Sequence, residues 1–336
     1  IALTEAEGAG DRVAALTGVI RAYEEGLVAM REGLRRAAIR EAAIRQRFDA
    51  ESARLQRLLG VLVTIESAPS PLLLLHPDGP VDTARSGMIL AEVTPALTRE
   101  AEALRAELEE LAVLRSLQES AAGTLQEGLR GVQEARTRLS HAISERTDLP
   151  RRFLDDPAAL QQIIDSTETL QGFASGLAAM EPVADGPVLP AFDAARGRLP
   201  LPVTGRVLRG FEEPDAAGIV RPGLVVATPP RALVTTPWPA TVRYRGPLLD
   251  YGNVMVLEPG GDYLLVLAGL EEVYGDVGEV LQAGAPVGLM GGAPPAAEAF
   301  LGTGGIGSGG ELSETLYLEL RKGTAPVDPE PWFTTD

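Results

Sequence analysis

The stretch Val13-Ala14-Ala15-Leu16-Thr17-Gly18-Val19-Ile20-Arg21-Ala22-Tyr23-Glu24-Glu25-Gly26-Leu27 sets the architecture of the first half of the chain. Its apolar residues recur at alternating steps of three and four, the period that makes two helices supercoil. The series runs on through Met30, Leu34, Ala37, Ile44, Phe48, Leu55, Leu58, Leu62 and Ile65, broken only by Glu41 and Glu51. A helix over that span is roughly 80 Å long at ~1.5 Å per residue. Ser67 to Val81 then carries four prolines and an Asp-Gly pair, through which a helix cannot continue.

A second series follows at Leu97, Ala101, Leu104, Leu108 and Leu111, is interrupted at Arg115 and Gln118, and resumes at Ala122, Leu125, Leu129, Val132, Leu139 and Ile143. It predicts the return arm of an antiparallel hairpin that ends by Pro150; a parallel dimer of one long helix is the rival arrangement. Asp156-Pro157 offers an N-cap and a first-turn proline to a shorter helix, Pro157 to Met180. Leu160, Ile163, Ile164, Thr167, Leu170, Ala174 and Leu177 form one stripe on it, which must pack on something other than solvent. Pro182, Pro187 and Pro190 mark a linker between Glu181 and Leu199.

From Pro202 the pattern changes to short β-rich runs separated by Gly and Pro turns: Leu224 to Ala227, Ala240 to Tyr244, Asn253 to Leu257, Tyr263 to Leu267, and Thr315 to Arg321 as a central strand. The expected fold class is α+β and multidomain. A long antiparallel α-helical coiled-coil hairpin spans 1–149, a short regulatory helix and linker 150–198, and a small mostly-β domain 199–336.

Composition agrees with that division. Aromatic residues are only 4 %, and Ala, Leu, Arg and Glu dominate the first half, as long helices require. The net charge is -17, and the part from Leu199 onward holds 17 acidic against 8 basic residues, so nucleic acid is not an expected partner. The absence of cysteine excludes disulfides, thiolate metal sites and cysteine nucleophiles. The strongest apolar run, Pro71 to Leu75, stops at His76, far short of the ~20 residues a membrane helix needs, so no direct membrane insertion is expected. A start at Ile1 suits a processed secreted protein and a trimmed one equally.

Five separated segments fall in a known order. They are Leu201-Pro202-Val203-Thr204-Gly205-Arg206-Val207; Arg221-Pro222-Gly223-Leu224-Val225; Tyr251-Gly252-Asn253-Val254; Asp276-Val277-Gly278 with Gly284; and Leu316-Tyr317-Leu318-Glu319-Leu320-Arg321 with Val327-Asp328-Pro329. In order and spacing they resemble the LytM-type metallopeptidase domain over about 199–333. With the helical half in front, the whole chain resembles the EnvC-like murein hydrolase activators. An active LytM domain holds zinc through the His and Asp of H-x-G-x-D and the second His of H-x-H, the first His of that pair assisting catalysis. Here Arg221 and Val225 occupy the first two ligand positions, Thr315 and Tyr317 replace the H-x-H pair, and a further family histidine falls near Gly269. A guanidinium and an isopropyl group donate no lone pair to a cation. The two histidines, His76 and His141, both lie in the helical half. The resemblance therefore implies a catalytically dead homologue without a metal or other cofactor.

It also implies a role for the old groove, which in these relatives engages a peptidoglycan amidase. A tyrosine followed four residues later by an arginine on the last strand belongs to that surface, matched here by Tyr317 and Arg321. Alternate strand residues share a face, so Tyr317, Glu319 and Arg321 project together, with Arg221, Val225 and Tyr251 lining the same groove. Pro222 departs from relatives that carry a basic residue there. Glu319 is also placed to hold Arg321 in an internal pair; otherwise exchanging Tyr317 or Arg321 should leave stability nearly unchanged. The resemblance further implies the periplasm of a Gram-negative bacterium at the division site, an FtsX-like membrane partner of an FtsEX complex for the coiled coil, and occlusion of the groove by the 157–180 helix. The alternatives are a zinc peptidoglycan endopeptidase with non-standard ligands, a structural coiled-coil protein that only binds cell wall, and a decayed domain kept as a structural plug.

Other motifs carry less. Gly302-Thr303-Gly304-Gly305-Ile306-Gly307 spells G-x-G-x-x-G without a surrounding βαβ unit, and reads as part of a Gly-rich insertion, Gly291 to Gly310. Glu212-Glu213 and Glu271-Glu272 read as solvated turns, and His76 as a packing or capping residue.

Overall fold

The computed structural model describes residues 9–66, 80–146, 149–150, 157–180, 189–293 and 312–334. The proline-rich turn with His76, residues 181–188 and nearly all of the Gly-rich insertion lie outside the described residues. The chain divides into two units, one of Ile1–Val28, Glu127–Ala299 and Gly307–Asp336, the other of Ala29–Gln126 and Phe300–Ile306.

Helix α1 (Ala9–Glu66) carries Asp11 in its first turn, where a carboxylate complements the helix dipole. Helix α2 (Pro80–Ser144) opens on a proline, which needs no amide partner there. It begins well before the apolar series at Leu97 and runs through Pro95, forfeiting one helical hydrogen bond. It ends at Ser144 rather than Pro150, whose carbonyl accepts instead from the Val280 amide at 2.9 Å.

In the 29–126 unit the polar interruptions of the two apolar series meet each other. Arg115 Nε donates to Glu41 Oε1 at 3.2 Å, and Arg45 Nη2 donates to the same oxygen at 2.7 Å. With its nitrogen turned towards Glu41, the Gln118 amide donates to Oε2 at 3.1 Å. Arg40 pairs with Glu110 and Arg47 with Glu107, both at 2.8 Å, so partner numbers fall as helix numbers rise and the segments run antiparallel. Exposed pairs add little stability, and their use here is to set register. The side chain of Glu51, the other interruption, lies outside the described residues.

In the other unit the base of the helix pair packs on the β-rich domain. Val13, Leu16 and Ile20 of α1 and Ala135, Leu139 and Ala142 of α2 bury against Leu233, Tyr274 and Leu289. The single helix expected over 157–180 is two, α3 (Pro157–Ser166) and α4 (Leu170–Ala179). The Ser166 and Thr167 hydroxyls bond back to the Ile163 carbonyl, and Thr169 caps a new helix by accepting from the Gly172 amide at 3.1 Å. A run of hydroxyl side chains thus ends one helix and starts the next.

The strands are β1 (Arg206–Arg209), β2 (Leu224–Thr228), β3 (Leu233–Thr235), β4 (Ala240–Pro247), β5 (Asn253–Gly260), β6 (Tyr263–Val273), β7 (Val280–Leu281), β8 (Pro286–Met290), β9 (Glu314–Lys322) and β10 (Ala325–Val327). They form an antiparallel sheet ordered β1-β2-β9-β6-β5-β4-β7, with β10 on β9 and with β8 joining β3 to β6. The expected central strand is β9, flanked by β2 and β6. Gly269, at φ 96°, is where β6 leaves β9 and turns to β8. A Cβ there would stand 2.7 Å from the Thr315 carbonyl oxygen, so the position accepts only glycine.

One sheet face buries Leu224, Val226, Met255, Leu257, Leu265, Leu267, Leu316, Leu318 and Leu320. Phe192 seals it, stacked on Trp332 at 4.6 Å between centroids and tilted against Tyr263 at 5.0 Å. The second half of the expected linker is therefore packed: Phe192–Ala195 forms a 3-10 turn with Phe192 and Ala195 buried. Its apolar residues outweigh the extending effect of its prolines. Phe192→Ala should cost about 3–5 kcal/mol in urea unfolding, as for other buried aromatics; a loss below about 1 kcal/mol would return this segment to the role of a linker.

Candidate functional site

The opposite face of the sheet carries the residues singled out from the sequence. Tyr317, Glu319 and Arg321 alternate along β9 against Leu316, Leu318 and Leu320, which point into the first core. Val225 of β2 stands directly across from Tyr317. The Tyr317 ring lies over Gly223, where any Cβ would meet it at 2.8 Å. Beside them Tyr244 of β4, Val254 and Val256 of β5, and Leu264, Val266 and Ala268 of β6 make an apolar trough.

Helix α4 fills this trough. Leu170, Phe173, Ala174 and Leu177 are buried in it, and Leu160, Ile163 and Ile164 of α3 pack at its side. Phe173 meets Tyr244 edge-on at 4.7 Å. Burying Leu170, Phe173 and Leu177 is worth roughly 1.5–3 kcal/mol per side chain, as an upper estimate.

The polar part of the site is closed on itself. Arg321 is 0 % and Glu319 1 % exposed. Arg321 Nη1 donates to Glu319 Oε1, and Nη2 donates to the Thr324 carbonyl and, at 2.6 Å, to Ser175 Oγ of α4. The Tyr317 hydroxyl donates to Glu319 Oε2 at 2.7 Å. Burial, followed by the Glu319 charge, pushes the Tyr317 phenol well above the usual tyrosine range, so it stays a neutral donor. Arg321 Nε has no partner among the described residues. Arg321 is thus not open to a partner in this arrangement: Glu319 holds it internally and α4 covers it.

Arg221 and Tyr251 lie near enough to Tyr317 to bear on its phenol, and Tyr251 packs against the trough. Tyr251 ends a 3-10 turn, Leu249–Tyr251. Arg221 donates to Asp215 Oδ2 at 3.1 Å, and Asp215 Oδ1 accepts from the amides of Ala217 and Ile219, both at 2.9 Å. The Ile219 amide is the main reason that the Asp215 carboxyl sits below its ordinary range. Ser175, Thr324 and Gly223 were not among the expected site residues. The stripe on 157–180 signals a packed helix, but nothing in its period singles out Ser175.

The arrangement does not fit a catalytic zinc. Arg221, Val225, Thr315 and Tyr317, the residues singled out from the sequence, bring no imidazole, carboxylate or thiolate to this face. Gly269 has no side chain, and Glu319 is engaged by Tyr317 and Arg321. Among the described residues, no group of three His, Cys, Asp or Glu is placed to hold a metal ion. No helix among them is long and apolar enough to cross a membrane.

No model of a known protein family matches the chain. The uncharacterized protein NMB1333 of Neisseria meningitidis serogroup B is 30% identical over 142 residues, 42% of this chain and 21% of that protein, so the match spans about a fifth of the relative's length. Among solved structures, a zinc containing peptidase from Vibrio cholerae is 21% identical, covering 42% of this chain and 40% of the other with a TM-score of 0.31. The catalytic domain of the antimicrobial peptidase lysostaphin from Staphylococcus simulans is 14% identical, covering 38% of this chain and 91% of the other with a TM-score of 0.30. These likenesses assign no residue role in this chain.

Removing one member of a buried pair strands the other charge. Arg321→Ala should therefore cost about 3–5 kcal/mol, against the expectation that stability barely moves. Chemical denaturation of wild type and variant measures this, and a loss under about 1 kcal/mol would mean that the pair is hydrated in solution.

Proposed function

We propose that this chain is a non-catalytic activator of peptidoglycan (N-acetylmuramoyl-L-alanine) amidases, an EnvC-like protein with a LytM-type domain. The observation that carries the reading is the seating of α4 on the Tyr317, Glu319 and Arg321 face, with Ser175 Oγ on Arg321. A groove whose metal ligands are replaced by Arg, Val and Tyr has recognition as its remaining chemistry, and Tyr and Arg are the side chains that most often anchor interfaces. A groove filled by the chain's own helix is switched by removing that helix. In this reading the coiled-coil hairpin expected over 1–149 receives the signal from an FtsX-like membrane protein in the periplasm, and the freed groove binds the amidase.

The energetics fit a switch. Three large side chains hold α4 down, so a partner displaces it only by bringing similar apolar burial or after the helical half has drawn it away. A zinc endopeptidase with unorthodox ligands fits less well, because the cleft offers no open set of donors among the described residues.

Two measurements test the reading. Deleting 157–180, or introducing Phe173→Glu, should raise the release of dye from labelled sacculi by a cognate amidase by roughly tenfold or more. Unchanged stimulation by a folded deletion variant would remove α3 and α4 as the inhibitory element. Purified protein should also contain no stoichiometric zinc and leave sacculi intact when alone; equimolar zinc with EDTA-sensitive cleavage would establish the endopeptidase instead.

A further inference from the structure

The base of the helix pair is tied to the β-rich domain through one buried carboxylate that the groove does not use. Glu24 lies on α1 with its side chain 4% exposed. Its Oε1 accepts from Arg136 Nη2 of α2 at 2.6 Å and from the Leu233 amide of β3 at 3.0 Å. Its Oε2 has no partner among the described residues, so a single oxygen joins three elements. Strand β3 pairs only with β8 among the described strands, which leaves its outer amides in need of acceptors. Glu24 supplies one. One helical turn earlier, Arg21 Nη2 donates to the carbonyls of Leu201 and Pro202 at 3.2 and 3.4 Å, beside the same strand.

We propose that Glu24 is a coupling residue, which makes the pairing of the two helix bases and their seating on β3 a single event. The physical reason is the shared oxygen. Leu233, from whose amide Glu24 accepts, is itself buried in an apolar cluster with Leu16, Ile20, Leu139 and Leu289. Burial favours the protonated form of Glu24, an effect opposed by Arg136, by the Leu233 amide and by Arg21. If the helix bases separate, Arg136 leaves and water reaches the carboxylate, so Oε1 is no longer fixed between the two helices and the β3 amide. Because the same oxygen serves both donors, the Leu233 amide is released with Arg136. Leu233 pairs with Leu289 of β8, and Leu289 with Glu272 of β6, so the sheet feels the loss. The helical half thereby acts on the β-rich domain by a route separate from α4, whatever the groove binds.

The test is amide hydrogen exchange on the full chain, which needs no amidase and is therefore independent of the activator reading. Arg136 makes no hydrogen bond to β3 among the described residues, so a role confined to helix pairing leaves Leu233 untouched. Coupling predicts that Arg136→Met and Glu24→Gln each speed exchange at the Leu233 amide by on the order of tenfold. The double variant should be no faster than the faster single, because both remove one unit. Amides of Val256 and Val266 in the sheet centre should keep their rates, which shows that the domain is folded. Arg136→Lys keeps the charge and should keep most of the protection at Leu233. An unchanged Leu233 rate in Arg136→Met, multiplication of the two single effects in the double variant, or Arg136→Lys exchanging as fast as Arg136→Met would each overturn the proposal.

Discussion

Both faces of the central sheet are apolar, and most of the other arrangements follow from the need to cover each of them. Met255 and Leu257 point one way from β5 while Val254 and Val256 point the other, and β6 and β9 alternate likewise. A sheet buried on both faces requires two covers. Phe192, from the segment before the domain, and Trp332 and Phe333, from its C-terminal end, serve on one side. On the other side the cover is α3 and α4. The second face also carries a guanidinium with no exposure, so its cover must supply polar atoms at a particular place, which Ser175 does.

That second cover is where a functional reading begins. On this face Val225 lies across from Tyr317, and Tyr317, Glu319 and Arg321 are joined by hydrogen bonds. In the proposed reading, an aromatic, an arginine and a bridging carboxylate suit this face to recognising a surface. An internal helix on such a face competes with any partner for the same burial.

The helical half shows the same economy with charge. Glu41 and Arg115 look like faults in two apolar series until they are found on each other, where they oppose register slips that Leu-on-Leu packing alone would tolerate. Glu24 occupies no position in the series that predicts the helix, since it follows Tyr23 on the helix surface. It is nevertheless buried, because β3 lies against that surface.

The sequence by itself determined the features that depend on local period or on chemical identity. The steps of three and four predict α1 and most of α2, the short runs predict β2, β4, β5, β6 and β9, and alternation places Tyr317, Glu319 and Arg321 on one face. The identities of Arg221, Val225 and Thr315 could be read directly, since no packing makes a valine coordinate a metal. Tertiary structure alone decided how those residues are used. It split the 157–180 helix at hydroxyl residues, drew Phe192 out of an apparent linker, and turned Arg321 from an exposed anchor into a buried ion. It also supplied Ser175 and the Leu233 amide as partners from 146 and 209 residues away. Period and composition report which surfaces must be buried, whereas what buries them depends on contacts between distant segments, and a one-dimensional pattern does not carry that information.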